Sequence, residues 1–340
     1  MFEEKIKLSN YSNYKIGGLA RYFLEAKKTE EIIRALEKWR LFAPLEISRP
    51  KAAVAALKEG GFLTGLTPDN NGVFILGGGT NILFGDEDFG GLVLKPAIGG
   101  IKRIDDYSLL VGAGVLMDGL VDYFCDKSFA GLEWAGGLPG TLGGAIRGNA
   151  GAFGGEIKDI VKEVVSLDVS SKPKIIKRKN EECGFSYRNS IFKSFDRLRT
   201  KEIIIEAVLN LNKGDKNLIR DIVQKNIFYR NEHQPLEHPN IGSIFKNVDA
   251  KKAPKNKIKE FESAIKTDPF PVIPAAHLIS EAGLKGISFG GAMISPKHPN
   301  FIVNVMNASS NDVKNLIELT KYEVKNKFGI DLEEEITYLI

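Results

Sequence analysis

Two stretches of the chain concentrate the residue type that leaves backbone amides bare. GGGTNILF occupies 77–84, and GGLPGTLGGAIRGNAGAFGG occupies 136–155, where nine of twenty residues are glycine and charge is almost absent. Such glycines serve either tight turns or the close approach of main chain to a ligand, above all a phosphate whose oxygens accept from exposed N–H groups. A single Gly-Gly is more often a turn. Two loops that both mix glycine with Thr and Asn or Pro favour a clamp on an extended dinucleotide. The usual phosphate signatures are missing: GxxxxGK[ST] does not occur, and GAGVLM at 112–117 puts Met117 where the third glycine of GxGxxG belongs. A P-loop and a Rossmann fingerprint are both excluded.

Other chemistries find less support. Cys125 and Cys183 are far apart without CxxC spacing, and the four histidines show no clustering at metal-ligand spacing, so reduced thiols and no metal are expected. Basic and acidic residues number 47 and 43, a net charge of +4, which suits a small anionic ligand better than a polyanion groove. Aromatic and basic residues are not interleaved, so no nucleic acid is expected. MFEEKIKLSNYSNYK lacks an apolar h-region, and no later segment approaches 18 uninterrupted apolar residues. A cytoplasmic protein without membrane spans is the expectation.

The elements that must position these loops follow from texture. With 340 residues, two or three domains are expected. Residues 1–72 hold a helix from Thr29 to Arg40, capped by threonine, with Ile32, Ile33, Leu36 and Trp39 on one face. Across 73–212, short apolar runs at 73–79, 91–96, 109–115, 164–169 and 202–211 alternate with glycine turns and a helix near 116–128, a mixed α+β layer. From 213 to 340 the texture becomes more helical, with helices at 214–231 and 310–328, the latter capped by Asn311 or Asp312. Between them, 250–272 is charged and proline-bearing and reads as a surface insertion.

GGGTNILF, GLEWAGGLPGTLGGAIRGNAGAFGGEI, FSYRNSIF, NIGSIFKN and LEEEI occur in an order that resembles the UDP-N-acetylenolpyruvoylglucosamine reductase family over about 13–339. The resemblance implies an α+β fold: a two-lobed FAD-binding domain of the vanillyl-alcohol-oxidase (PCMH) type, with lobes 1–72 and 73–212, and a C-terminal α+β substrate-binding domain, 213–340. It implies FAD as cofactor, held by Gly77, Gly78, Gly79, Thr80, Asn81 and Ile82 of the first loop. From the second loop it implies Pro139, Gly140, Thr141, Gly143, Gly144, Asn149, Ala150 and Gly151. Both loops would wrap the FAD pyrophosphate, where side chains would collide with it.

The implied reaction reduces the enolpyruvyl group of UDP-N-acetylglucosamine enolpyruvate with NADPH as reductant, hydride passing from flavin N5 to C3 and a proton to C2. Hydride addition to an enol ether is feasible only if charge at C2 spreads onto the substrate carboxylate, which needs a cation there and an acid beside C2. The resemblance assigns Arg188 of Y-R-x-S to the carboxylate, Ser243 of GSxFKN as proton donor, and Glu335 of L-E-x-E as support for protonation. Tyr187, Arg230, Lys246 and Asn247 fall to the substrate, Lys246 and Asn247 reaching its diphosphate and sugar. His298, in ISPKHPNFIVN, matches a family segment but is expected to be structural. The chain departs from the pattern where NYKIGGLA lacks threonines before Gly-Gly, where Val248 replaces proline after F-K-N, and where His233 replaces lysine or serine. Two other readings compete. An oxidase or dehydrogenase of the same flavin fold acting on a small alcohol or sugar is disfavoured by GSIFKN and LEEE. A non-catalytic binding module is disfavoured by the presence of Arg188 and Ser243.

Overall fold

The computed structural model describes residues 2–46, 72–193, 202–210, 212–254, 257–267 and 270–339. Most of the stretch 41–72, including Pro50, Pro68 and nearly all of PDNNG, lies outside the described residues.

Five strands open the chain: β1 (Glu3–Lys7), β2 (Leu19–Ala26), β3 (Val73–Ile75), β4 (Ile82–Phe84) and β5 (Phe89–Pro96). Four form a sheet in the order β1-β2-β5-β3, while β4 stands outside it. β2 and β3 both pair parallel with β5, so long crossovers must connect them. The first crossover begins with α1 (Thr29–Glu46), six residues longer than the expected helix to Arg40. Its Ile32, Leu36 and Trp39 bury against Tyr22, Leu92 and Leu94.

The second sheet is antiparallel throughout. Its order is Lys174–Lys179, Val161–Asp168, Glu202–Asn210, then β7 (Ser108–Gly112) and β6 (Ile101–Arg103). A register shift opposite Ile205, between the pairs Val165–Glu206 and Ser166–Ile204, decides where this sheet sends its side chains. A slip of one residue exchanges the two faces. Ile203 and Ile205 accordingly enter the core shared with β2, β5 and α1. Ala207 and Leu209, of the same parity, enter the opposite core against helix Met117–Lys127. One strand thus joins two cores.

Helix Lys216–His233 is capped by Asp215, whose carboxylate accepts from the amides of Asn217 and Leu218 at 2.9 Å. Its buried Ile219 and Val223 join the core of the second sheet, beside Trp134 and Ala135. Farther on, a core gathers Ile244, Phe245, Ile279, Ile294, Ile302, Leu316 and Phe328 with Tyr14, Ile16 and Leu83 from the first ninety residues. Helix Ser310–Phe328 is capped by Ser309, whose hydroxyl accepts from Asp312 N at 3.1 Å while Asp312 returns the bond, a capping box. The expected caps, Asn311 and Asp312, both lie inside the helix. The segment 250–272 is likewise more than a surface insertion, since Ala253, Phe261 and Val272 are buried. It combines charged outer positions with a few apolar anchors, which average composition conceals.

The C-terminal strand Thr337–Leu339 pairs parallel with β4, and Leu339 enters the core against the first sheet with Leu8, Phe23 and Phe84. Tyr14 is fully buried; its hydroxyl donates to Ile302 O at 2.8 Å and its carbonyl accepts from Asn304 Nδ2 at 2.9 Å. Tyr14→Phe removes the one donor without opening a cavity. Urea unfolding should show a stability loss of about 1–2 kcal/mol; an unchanged midpoint would show that this bond contributes nothing net.

Candidate functional site

A cleft of about 2080 Å³ runs between the two glycine loops and the C-terminal segments. Its wall includes every residue that the family resemblance assigns to cofactor, substrate or catalysis except Asn149. Asn149 is fully buried with φ +42°. Its Nδ2 donates to Ser186 O at 3.0 Å, and its Oδ1 accepts from Lys158 N at 3.3 Å. The side chain is spent on holding protein to protein.

The glycine loops show what their bare backbone does. A Cβ on Gly79, at φ +67°, would lie 1.8 Å from Tyr11 O, and one on Gly78 would lie 2.7 Å from Gly140 Cα. These glycines therefore let the two loops and the N-terminal segment approach one another, a use that the expected clash with a pyrophosphate had not included. Gly144 and Gly148 differ: a Cβ at Gly148 would meet nothing within 4 Å, and one at Gly144 only Thr141 Oγ1 at 3.5 Å. Both line the cleft, and side chains there would fill it. Among the described residues, no amide from Gly77 to Asn81 donates to a protein acceptor, and neither do those of Gly140 and Thr141. Successive amides without partners beside open space form a cradle suited to phosphate oxygens. The residues present thus fit a dinucleotide cofactor.

Arg188 sits in a tight turn closed by reciprocal bonds between Ser186 and Asn189, N to O at 3.0 Å each way. Its φ is +54°, at a position where turns of this kind ordinarily take glycine or asparagine. The turn is tied to the second glycine loop by Asn149 and by Ser190 Oγ, which donates to Arg147 O at 2.8 Å. Lys193 Nζ caps it, donating to Arg188 O at 3.1 Å. Arg188 Nε stands 3.0 Å from Glu335 Oε1 as an ion pair. Neither terminal guanidinium nitrogen meets a protein acceptor among the described residues. Burial disfavours the charge of Arg188, but Glu335, Tyr187 and Glu156 more than offset it and raise its pKa.

Ser243 also lines the cleft, in a stretch without regular secondary structure that follows Gly242 at φ +80°. Glu335 N donates to Ile244 O, and Lys246 N to Glu333 O, both at 2.8 Å, so the segments bearing Ser243 and Glu335 lie side by side. Lys246 pairs through Nζ with the exposed Glu333. Asn247 Oδ1 accepts from Ala275 N at 3.2 Å, and its amide donates to the Tyr187 hydroxyl at 3.3 Å. Burial pushes the Tyr187 phenol above its ordinary pKa. Arg230 is buried in the cleft wall, with Nε donating to Gly136 O at 2.8 Å and Nη2 without a partner. His233 stacks on Tyr229, ring centroids 4.0 Å apart, at the cleft margin.

Sequence reasoning missed two cations of this wall, Arg147 and Lys193. Burial and the nearby charges of Lys246 and Arg147 lower the Lys193 pKa to about 8. Such crowding is stable only opposite negative charge. Arg147 carried a readable signal, being the one cation in the glycine-rich stretch 136–155. Lys193 carried none.

His298 also lines the cleft, as a neutral imidazole with Nδ1 buried and unpartnered. Burial, then the charges of Lys266 and His233, lower its pKa to about 4. The unfolded chain, titrating near 6.5, binds more protons between these values, so stability should fall as pH drops from about 6.5 towards 4. The loss should reach about 2–3 kcal/mol, and His298→Gln should flatten that slope in urea titrations at stepped pH. An identical slope in the variant would remove His298 from the account. A second comparison isolates the backbone of Arg188. Arg188→Ala and Arg188→Gly both delete the ion pair, but only glycine relieves the positive φ, so the glycine variant should be the more stable by about 1 kcal/mol.

Comparison with known proteins matches residues 66–172 to an FAD binding domain and residues 234–339 to the C-terminal domain of UDP-N-acetylenolpyruvoylglucosamine reductase. A reductase of that name from Carboxydothermus hydrogenoformans is 34% identical over 343 residues, covering 99% of this chain and 93% of the relative. One from Caldanaerobacter subterraneus is 38% identical over 264 residues, 77% of this chain and 78% of the relative. The crystal structure of the reductase from Thermus caldophilus superposes with a TM-score of 0.69 at 26% identity, covering 100% of both chains. No helix among the described residues is long and apolar enough to cross a membrane. With an FAD-binding domain followed by this C-terminal domain, and relatives above 30% identity along nearly its whole length, the chain belongs to the UDP-N-acetylenolpyruvoylglucosamine reductase family of FAD oxidoreductases.

Proposed function

We propose that the protein acts in the cytoplasm and reduces the enolpyruvyl group of UDP-N-acetylglucosamine enolpyruvate to the lactyl ether of UDP-N-acetylmuramate, consuming NADPH, in peptidoglycan precursor synthesis. The observation that carries this reading is the convergence of Ser243, the Arg188–Glu335 pair and a cradle of unpartnered amides on one cleft. In this reading residues 1–212 surround the cofactor, with the boundary between the two lobes after β5 and not at 72, because β3 and β5 share a sheet with β2, and 213–340 supplies most of the substrate wall.

When bound, FAD supplies the hydride that adds to the carbon–carbon double bond. The amides of Gly77–Asn81, Gly140 and Thr141 would hold its pyrophosphate. Arg188 has its Nε in an ion pair with Glu335 and its terminal nitrogens on no protein acceptor among the described residues, so a planar fork remains for the substrate carboxylate. It stabilises the charge that spreads there as the double bond is reduced. Glu335 fixes the orientation of that fork. Ser243 delivers a proton to the carbon beside the carboxylate; its hydroxyl is a weak acid, matched to a strongly basic enolate-like carbon in a desolvated site. Arg230, Lys246 and Asn247 bind the diphosphate and sugar, with Tyr187 packed beside them. Lys246 must exchange its exposed partner Glu333 for phosphate, a swap of one solvent-screened contact for a charge-assisted bond.

The purified protein should be yellow. Anaerobic NADPH should bleach the flavin band and the enolpyruvyl substrate should restore it. Ser243→Ala should keep the bleaching and slow the recovery by about 10²-fold or more. Peroxide formation from a small alcohol or sugar, or a colourless protein that cannot be loaded with FAD, would sink the proposal.

A further inference from the structure

The main chain two residues from Ser243 is bonded by a side chain that no part of the reaction scheme uses. Residues 243–247 belong to no helix or extended strand, so their placement depends on tertiary bonds. One flank is held by the C-terminal segment through Glu335 N to Ile244 O and Lys246 N to Glu333 O. Asn247 is held by Tyr187 and Ala275, and the other flank, at Ile244 and Phe245, is held by Asn300 three times over. Its carbonyl accepts from Ile244 N at 2.8 Å, its Oδ1 accepts from Phe245 N at 3.0 Å, and its Nδ2 donates to Phe245 O at 2.8 Å. The carboxamide pairs with the main chain of Phe245 as a neighbouring strand would, offering donor and acceptor in amide geometry. Asn300 is 3% exposed, so water cannot replace these bonds cheaply.

Asn300 is itself fixed. It lies in a turn in which Phe301 N donates to His298 O at 2.9 Å, and Ser295 Oγ accepts from the amides of Lys297 and His298 at 3.2 Å. Asn304, four residues on, ties the same segment to Tyr14 O. One torsion, with three staggered wells, places the serine oxygen relative to the main chain, so main-chain placement limits where the hydroxyl can lie. A displacement of about 1 Å at a reacting group costs about 10²-fold in rate.

We infer that Asn300 is a positioning residue for Ser243: its carboxamide holds the 243–246 main chain at the setting from which the hydroxyl reaches the substrate carbon. The inference rests on the reading of Ser243 as proton donor. Substitution should therefore affect only the half of the catalytic cycle that needs a proton at carbon, leaving reduction by NADPH intact. Aspartate at this position keeps an acceptor for Phe245 N and loses the donor to Phe245 O. Alanine loses both.

The test uses the FAD-loaded wild-type protein, Asn300→Ala, Asn300→Asp and Ser243→Ala. Each is reduced anaerobically with NADPH, then mixed with the enolpyruvyl substrate in H₂O and in D₂O. For Asn300→Ala the reduction rate should stay within about threefold of wild type, while reoxidation at saturating substrate should fall about 10²-fold, with a larger solvent isotope effect as proton delivery becomes limiting. The substrate concentration for half-saturation should change little, and Asn300→Asp should fall between. Amide exchange of the peptide spanning 243–246 should quicken in both. Reoxidation of Asn300→Ala within about threefold of wild type would overturn the inference, as would equal slowing of both half-reactions, which marks a general loss of structure. If the alanine variant fails to fold, the aspartate variant decides by the same criteria. Wild-type reoxidation by Ser243→Ala would instead overturn the reading of the serine and leave Asn300 without an object.

Discussion

The site depends on the backbone of the last dozen residues. Between Glu333 and Leu339 the chain pairs first with Ile244 and Lys246, then with β4, immediately after the first glycine loop. Asn81 lies between them: its Nδ2 donates to Glu335 O at 3.1 Å and its carbonyl accepts from Thr337 N at 3.0 Å. One short strand thus fixes the distance from the phosphate cradle to the serine, and carries Glu335 on the way to Arg188. Leu339 anchors the far end in a core shared with Phe23 and Phe84. The main-chain hydrogen bonds of this half-buried strand are costly to break.

This arrangement explains why glycine is dense where it is. A loop that must accept another loop, a chain end and a ligand has room for few side chains. Gly78 and Gly79 are consumed by protein-to-protein approach, while Gly144 and Gly148 leave the cleft open. The two uses are coupled, since amides face the cleft unpartnered only because the loops are pressed together behind them. A glycine count by itself does not separate these uses. The separation comes from asking what a Cβ would touch.

Much of the architecture was legible in the chain. Short apolar runs marked β3 and β5 of the first sheet and three strands of the second, and helix 310–328 was legible in extent although its cap lies at Ser309, where the S-x-x-D box could have been read directly. The glycine loops and the segments around Arg188, Ser243 and Glu335 marked the cleft. What stayed hidden depends on distance along the chain. Asn300 lies 55 residues from Phe245, and nothing local distinguishes its amide from that of a surface asparagine. Asn149, which the resemblance assigns to the cofactor, has a left-handed backbone that turns its side-chain amide towards Ser186, a contact no local pattern announces. In 250–272, charge dominated the average and masked the buried Phe261. Composition reports what is common in a window, whereas packing is decided by its few anchors.

Arg188 shows what this construction is for. A bulky side chain at positive φ costs about 1–2 kcal/mol, and a turn free to relax would shed it. Here relaxation is blocked on several sides: Asn149 holds Ser186, Ser190 holds Arg147, Lys193 holds the carbonyl of Arg188 and Glu335 holds its Nε. Such strain persists only where surroundings over-determine the backbone. The result is a guanidinium that reaches the cleft on a stem with little freedom left to lose when an anion binds. Three of those four contacts run to the second glycine loop or the C-terminal segment, the same elements that form the cradle and lie beside Ser243. Cradle, guanidinium and serine are therefore joined by one connected set of bonds.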